Sequence, residues 1–326
     1  MNDKLVYVGK IIDLQPISGA DFIVSATVVC GAGGKWRGIV KLVDFQIGDH
    51  CIVYLPDAQI PENDEMKFMA ATHWRVKMRR FKGAPSEVLI MPIANPHLYE
   101  HGLIDVGDDL TGWAGVTKYH KPVPAHLQGN PKGLFPGFIP KTDEPNYQRE
   151  PDLVAALMGK PYYITEKCDG SSTTAYRYHG QFGVCSRNLE LQRNESNGYW
   201  KVALKYNLEE LLPEGISLQW ETCGPGIQSN PMGLKEIDGF AFSAYNILEH
   251  RYLEMSELMA LCKRLNFPMC KVYSIGIEFH DFGLEFTGEG KYANGAQREG
   301  VVVRSQLNGA NGKPISFKVI NLNYER

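Results

Sequence analysis

Through residue 112 the apolar positions fall in short β-branched and aromatic runs: LVYVGKIIDL, FIVSATVVC, WRGIVKL, HCIVYL, HWRVKMRRF and EVLIMPI. Turn signals close each run, and strands of this length at regular spacing predict a small barrel or sandwich. From Gly115 to Pro140 the chain reads GVTKYHKPVPAHLQGNPKGLFPGFIP, in which nine residues are Gly or Pro. No regular element persists through such a stretch, so residues 113–140 are expected to link a first domain, 1–112, to a second, 141–326.

Beyond residue 141 the periodicity is mixed. Helices are expected at DLVAALMG, YWKVALKYNLEELL and MSELMALCKRLN, and a strand pair around YYITEKCDGSSTTAYRYHG and GQFGVCSR. Further strands follow at ISLQWE, GFAFSAYNIL, REGVVVRS and PISFKVI. Without a steady βαβ rhythm, the pattern predicts an α+β domain on antiparallel sheet. Alternation in ISLQWE sets Ile216, Leu218 and Trp220 on one face, leaving Glu221 on a polar side with Ser217 and Gln219. By the same rule Val302 and Arg304 oppose Val301 and Val303, and Ser316 shares a face with Lys318.

A length of 326 residues suits two compact units. The net charge of −3 leaves nucleic-acid binding to local basic patches. Seven cysteines stand at 30, 51, 168, 185, 223, 262 and 270, with no C-x-x-C pair and no zinc-finger spacing. That predicts reduced thiols in a cytosol. The start, MNDKLVYVGKIIDL, has no signal-peptide pattern, and no run of about 18 apolar residues follows. A cytoplasmic, non-membrane protein is expected. GAGGKW at 31–36 lacks P-loop spacing.

Candidate chemistry begins at Glu166-Lys167-Cys168-Asp169-Gly170, where YYIT ends at a sheet rim. A K-x-D-G tetrapeptide arises by composition in about one chain in twenty of this length, and an exposed turn explains it as well. Four further segments follow it: Ser186-Arg187-Asn188, Trp220-Glu221 with the aromatic strand Phe240 to Ile247, Glu299-Gly300-Val301-Val302, and Ser316-Phe317-Lys318. Together, in this order, they resemble the covalent nucleotidyltransferases: DNA ligases, RNA ligases and mRNA capping enzymes. FPGFIPKTDE and ETCGPGIQ make the chain most similar to ATP-dependent RNA ligases that carry an N-terminal OB domain. The resemblance implies an OB-type β-barrel followed by a nucleotidyltransferase (ATP-grasp-like adenylylation) domain built on antiparallel sheets. It also implies sealing of a 3′-hydroxyl RNA end to a 5′-phosphate in three steps, through lysyl-AMP and an adenylylated 5′-phosphate.

On that scheme Lys167 is the nucleophile, with ATP as substrate, and Glu166 counts among the nucleotide-binding residues. A lysine attacks phosphorus only when neutral, so its pKa must fall from about 10.4 through desolvation or nearby positive charge. Asp169, Glu221 and Glu299 could hold hydrated Mg²⁺ or Mn²⁺; the plain alternative for each is a surface salt bridge. Val302 would pack on adenine and an aromatic on its other side, Tyr245 first and Phe242 second, although aromatics in such a strand are more often core. Arg187 would contact phosphate or ribose unless an acidic residue holds it. Lys318 would act on the α-phosphate.

The chain departs from the pattern twice. Ser316 replaces the first lysine of K-x-K, with Lys313 able to substitute in part. Asn146 occupies the place of an arginine two residues before Gln148, where Arg149 either compensates or is a solvated charge. For RNA, Arg75, Lys77 and Arg79 would form a stripe on one strand face, or else protect a sheet edge. Lys201 and Lys205, one helical turn apart, could touch a duplex, or else form a solvated face. The expected partner is RNA, a nicked duplex with an RNA 3′-hydroxyl end, met by a monomer. Two alternatives stand beside this reading: a non-catalytic OB-fold RNA-binding protein, and a GTP-using capping-type guanylyltransferase.

Overall fold

The computed structural model describes residues 3–93, 105–119, 131–141, 143–281, 283 and 288–324. Residues 120–130 of the expected linker, and Thr142, lie outside them. The chain divides into two compact units: residues 1–121 with 147–151 and 325–326, and residues 122–146 with 152–324.

In the first unit five antiparallel strands follow the order Gly34–Lys41, Ile23–Cys30, Val6–Pro16, His50–Tyr54, Leu89–Pro92. An irregularity between Ile11 and Asp13 bends the long strand Val6–Pro16, which serves two neighbours. The outer strands are drawn together where Glu87 N and Val88 N donate to Arg37 O at 2.8 and 3.3 Å. Gly38 permits that approach, since a Cβ there would lie 2.6 Å from Ile90 Cδ1. Alternate side chains, among them Ile11, Val28, Trp36 and Val53, fill the interior. This is the OB-type barrel that the short runs predict.

HWRVKMRRF departs from expectation. Lys67–Thr72 is a 3-10 helix, and His73 and Trp74 follow it at φ of 51° and 61°. Two successive residues at positive φ break extended backbone. Only Arg79–Phe81 is a strand, in a hairpin with Ala84–Ser86. Arg75, Lys77 and Arg79 therefore share no strand face, and Arg75 is held by Asp57 at 2.6 Å, 4.0 Å over the Tyr119 ring.

Residues 147–151 belong to this unit. Gln148 Nε2 donates to Lys35 O at 2.7 Å and Glu87 Oε1 at 3.2 Å, while Arg149 donates to Lys4 O at 3.0 Å. Gly34 makes the room, because a Cβ there would sit 1.6 Å from Gln148 O. Through its bond to Lys4 O, Arg149 helps to tie down this return segment.

The second unit holds two antiparallel sheets. Seven strands run in the order Pro131–Leu134, Leu189–Leu191, Gln181–Cys185, Ser171–Tyr178, Ile216–Cys223, Asp238–Asn246, Arg251–Tyr252, and four in the order Val272–Gly276, Tyr162–Glu166, Gly300–Asn308, Pro314–Ile320. One face of the larger sheet, with Ala175, Val184, Leu218, Trp220 and Ala241, is covered by the helices Gly198–Lys205 and Met255–Leu265. Asn197 caps the first helix by accepting from Tyr199 N and Trp200 N. YWKVALKYNLEELL is two helices rather than one, because Asn207 is left-handed at φ 49° and Leu208–Leu211 starts afresh. The opposite face of the sheet carries Ser172, Thr174, Ser217, Gln219 and Glu221, as their cross-strand pairing requires. Packing on one side thereby leaves a polar wall on the other.

Candidate active site

Lys167 stands where the chain leaves one sheet for the other. Tyr162–Glu166 pairs with Gly300–Asn308, Thr165 facing Val302, and Lys167 N donates to Gly300 O at 3.0 Å. After Gly170 the chain joins the larger sheet, Ser172 facing Glu221. The expected strand pair thus holds for Ser171–Tyr178 with Gln181–Cys185, whereas Tyr162–Glu166 belongs to the smaller sheet. The crossing is tight: a Cβ on Gly170 would meet Thr222 O at 2.3 Å and Cys223 Sγ at 2.6 Å. Only glycine fits, which gives the last letter of K-x-D-G a steric reason.

Lys167 Nζ lies 2.7 Å from Glu299 Oε2, and the lysine side chain retains 23% exposure against 7% for the glutamate. Gly170 N donates to Glu221 Oε1 at 3.2 Å. Asp169 is buried and accepts a hydrogen bond from Tyr324. Burial pushes the Glu221 carboxyl up to about 7; Lys167 opposes the shift, while Glu299 and Asp169 add to it. Three carboxylates crowded about one ammonium are short of positive charge. Among the described residues no three such groups stand at metal-ligand spacing; carboxylates so spaced could reach a cation only through its water.

Cross-strand register assembles the rest. Thr165, Val302 and Lys318 face one another across three strands, and Tyr163, Arg304 and Ser316 do the same one step along. Lys318 thus shares a face with Val302, and with Ser316 as alternation predicts, and its N–H donates to Pro145 O at 2.8 Å. At the departure from K-x-K, the Ser316 hydroxyl donates to Glu144, whose other oxygen accepts from Arg304 Nη2 at 2.8 Å. Position 316 therefore joins a buried ion pair. Asn146 lies in a parallel bridge with Lys318.

Several expected positions change. Trp220 faces Ala241 and Gln219 faces Ser243, so Phe242 is the extra residue of a bulge. Phe242 then stands with Phe240, Glu221's partner, and lies 5.9 Å from the Arg304 guanidinium. Tyr245, preferred on sequence, is 9% exposed and packs edge-on to Tyr252 among Ile139, Tyr176 and Ile247. Glu166 pairs with Val301, not Val302, and its carboxylate accepts from Tyr273, which turns it from the Val302 face. Arg187 has the acidic partner left open as its alternative, Asp143 at 3.0 Å, both side chains about half exposed. Lys201 is exposed, and Lys205 meets Asp238 at 2.8 Å.

Two groups escaped sequence reasoning. The Tyr292 hydroxyl donates to Lys167 O at 3.0 Å and accepts from Glu299 N at 3.1 Å, joining nucleophile to carboxylate through one oxygen. Nothing in its loop sequence marks it. Cys168, Cys223 and Cys270 also converge, with Cys168 Sγ 3.7 Å from Cys270 Sγ. Hydrogen bonding to Cys223 and burial hold the Cys168 thiol well above its ordinary range against the opposing bond with Cys270, and hydrogen bonding to Cys168 and burial do the same for Cys270, so they act as packing behind the nucleophile.

The family model for RNA ligase matches residues 160–320, and an OB-fold domain model matches residues 5–93. Solved structures of Naegleria gruberi RNA ligase are similar along nearly the whole chain. A mutant with ATP and Mn shares 29% identity at TM-score 0.82, covering 98% of this chain and 97% of that one. The same enzyme with PPi, and a mutant with AMP and Mn, have the same identity and coverage at TM-scores of 0.81 and 0.82. No curated protein matches. Barrel, adenylylation-type sheets and ordered motifs agree with both models: the chain belongs to the RNA ligases whose catalytic domain follows an N-terminal OB fold.

Proposed function

We propose that this ligase joins a 3′-hydroxyl RNA end to a 5′-phosphate through lysyl-AMP and an adenylylated 5′-phosphate. The observation that carries the reading is Lys167 Nζ 2.7 Å from Glu299, with Glu221 beside Gly170 of the same loop. Lys167 Nζ attacks the α-phosphorus of ATP and pyrophosphate leaves. A 5′-phosphate oxygen then displaces the lysine, and the 3′-hydroxyl displaces AMP. The similar Naegleria gruberi enzyme has been solved with ATP and Mn, with PPi, and with AMP and Mn, the participants this sequence requires. Asp169, Glu221 and Glu299 would hold Mg²⁺ or Mn²⁺ through water, supplying positive charge near the lysine and the departing phosphates.

Phe242 and Val302 are the pair for the adenine slot, since Val302 shares a face with Arg304, whose guanidinium lies 5.9 Å from the Phe242 ring. Lys318, on Val302's face, would stabilise charge on the α-phosphate. Arg187 would exchange Asp143 for a phosphate at small cost, an exposed pair being worth about 0–1 kcal/mol. RNA contacts from Lys201, Lys205 and Arg79, the OB and adenylylation domain roles, and action as a monomer belong to the same proposal. No helix among the described residues is long and apolar enough to cross a membrane.

The test is incubation with α-labelled ATP or GTP and a divalent cation, then denaturation. Label is expected on the wild-type chain from ATP and not on Lys167→Ala. A GTP adduct would favour capping, and label surviving Lys167→Ala would remove the nucleophile. Sealing of nicked duplexes should require ribose at the 3′-hydroxyl end.

A further inference from the structure

We propose that two adjoining loops of the OB barrel, residues 17–22 and the hairpin Arg79–Ser86, form a docking surface for an unpaired RNA strand. The inference rests on the ligase reading for its substrate class, and it replaces the strand-face stripe that the fold does not contain. Phe22, at the end of the first loop, is 83% exposed. Phe22 O accepts from Leu42 N at 3.0 Å, which pairs its backbone with that of Leu42, next to Val43; these two are 52% and 88% exposed. A phenyl ring so exposed contributes nothing to the barrel core.

The hairpin brings the charge. The Lys82 ammonium donates to Gly19 O of the first loop. Phe81 is 40% exposed, with the Arg79 guanidinium 5.9 Å from its ring centroid. Ile39 N donates to Ser86 Oγ at 3.1 Å, fixing the hairpin to the strand Gly34–Lys41. Loops that follow the first and fourth strands of an OB barrel are suited to oligonucleotides. These two hold flat rings and cations together.

The chemistry selects an unpaired strand. An exposed ring binds a base by its π-face, which a duplex keeps stacked and out of reach, whereas a single strand offers it to any platform. Arg79, Arg80 and Lys82 on the hairpin, with Lys41 at the strand end, match a phosphate backbone. Asp21 and Asp44 beside Phe22 and Val43 limit that attraction and leave stacking the larger share.

The test uses the full chain and fluorescent RNA, a single strand of about a dozen nucleotides and a blunt duplex. Phe22→Ala and Phe81→Ala should each weaken single-strand binding about tenfold and leave the blunt duplex unchanged. Phe22→Trp should retain binding, and Lys82→Gln should lower the salt dependence by roughly one counterion. Unchanged single-strand affinity in the double alanine variant, as for a patch built for protein, would overturn the proposal. So would an equal loss on the duplex. Labelling of Lys167 by ATP in the same preparations reports the fold. Its absence from wild type would sink the ligase reading while the RNA comparison still decides this one.

Discussion

Glu221 is the side chain most exposed to conditions. Its folded pKa of about 7 lies above the ordinary glutamate value, so the stabilisation it offers is present below about 4.5 and is lost as pH rises through 7. Metal-free protein should therefore lose on the order of 2 kcal/mol between pH 5 and pH 8 from this group. Glu221→Gln should flatten that loss in thermal melts while suppressing lysine adenylylation. A wild-type melting profile as flat as the variant's would contradict the assignment. Tyr292 makes a different prediction: Tyr292→Phe leaves Lys167 O and Glu299 N without their common oxygen, so adenylylation should slow about tenfold with little change in KM for ATP. At this scale the sequence was legible where a motif names the residue, as at Lys167, Asp169 and Glu299. Tyr292 and the three thiols were not, because loop contacts leave no periodicity.

Among elements, the alternation of ISLQWE correctly assigned both faces of its strand, since one face must cover Trp220 and the other cannot. At the next strand the bulge at Phe242 adds a residue that no sequence pattern announces, so alternation alone does not fix which way its aromatics face. HWRVKMRRF failed for a related reason: apolar and basic residues alternate, yet His73 and Trp74 turn the backbone through positive φ. The strand Pro314–Ile320 carries the departure at Ser316, and its partner Arg304 is 4% exposed beside Glu144. Glu144→Gln would leave that guanidinium buried without its counter-charge, at a cost of about 3 kcal/mol in urea denaturation. A cost below about 1 kcal/mol would mean that the Ser316 cluster is incidental.

For the molecule as a whole, two units were foreseeable from length and from the Gly/Pro-rich stretch. The return of residues 147–151 to the first unit was not, since it depends on a missing Cβ at Gly34. Deleting residues 1–112 should impair sealing of nicked RNA more than labelling of Lys167, because the RNA surface is removed while the adenylylation sheets remain. Equal loss of both activities would show that the catalytic unit needs the barrel to fold. The crossing at Lys167 has a broader effect. The nucleophile is tied to one wall of its cleft through Gly300 O and strung from there toward the other, two residues past Val302's partner Thr165 and five before Glu221's partner Ser172. A base that holds those walls at the wrong separation must pull on the lysine itself. Poor nucleotides should then be rejected by slow chemistry rather than weak binding, with kcat for adduct formation falling further than KM rises.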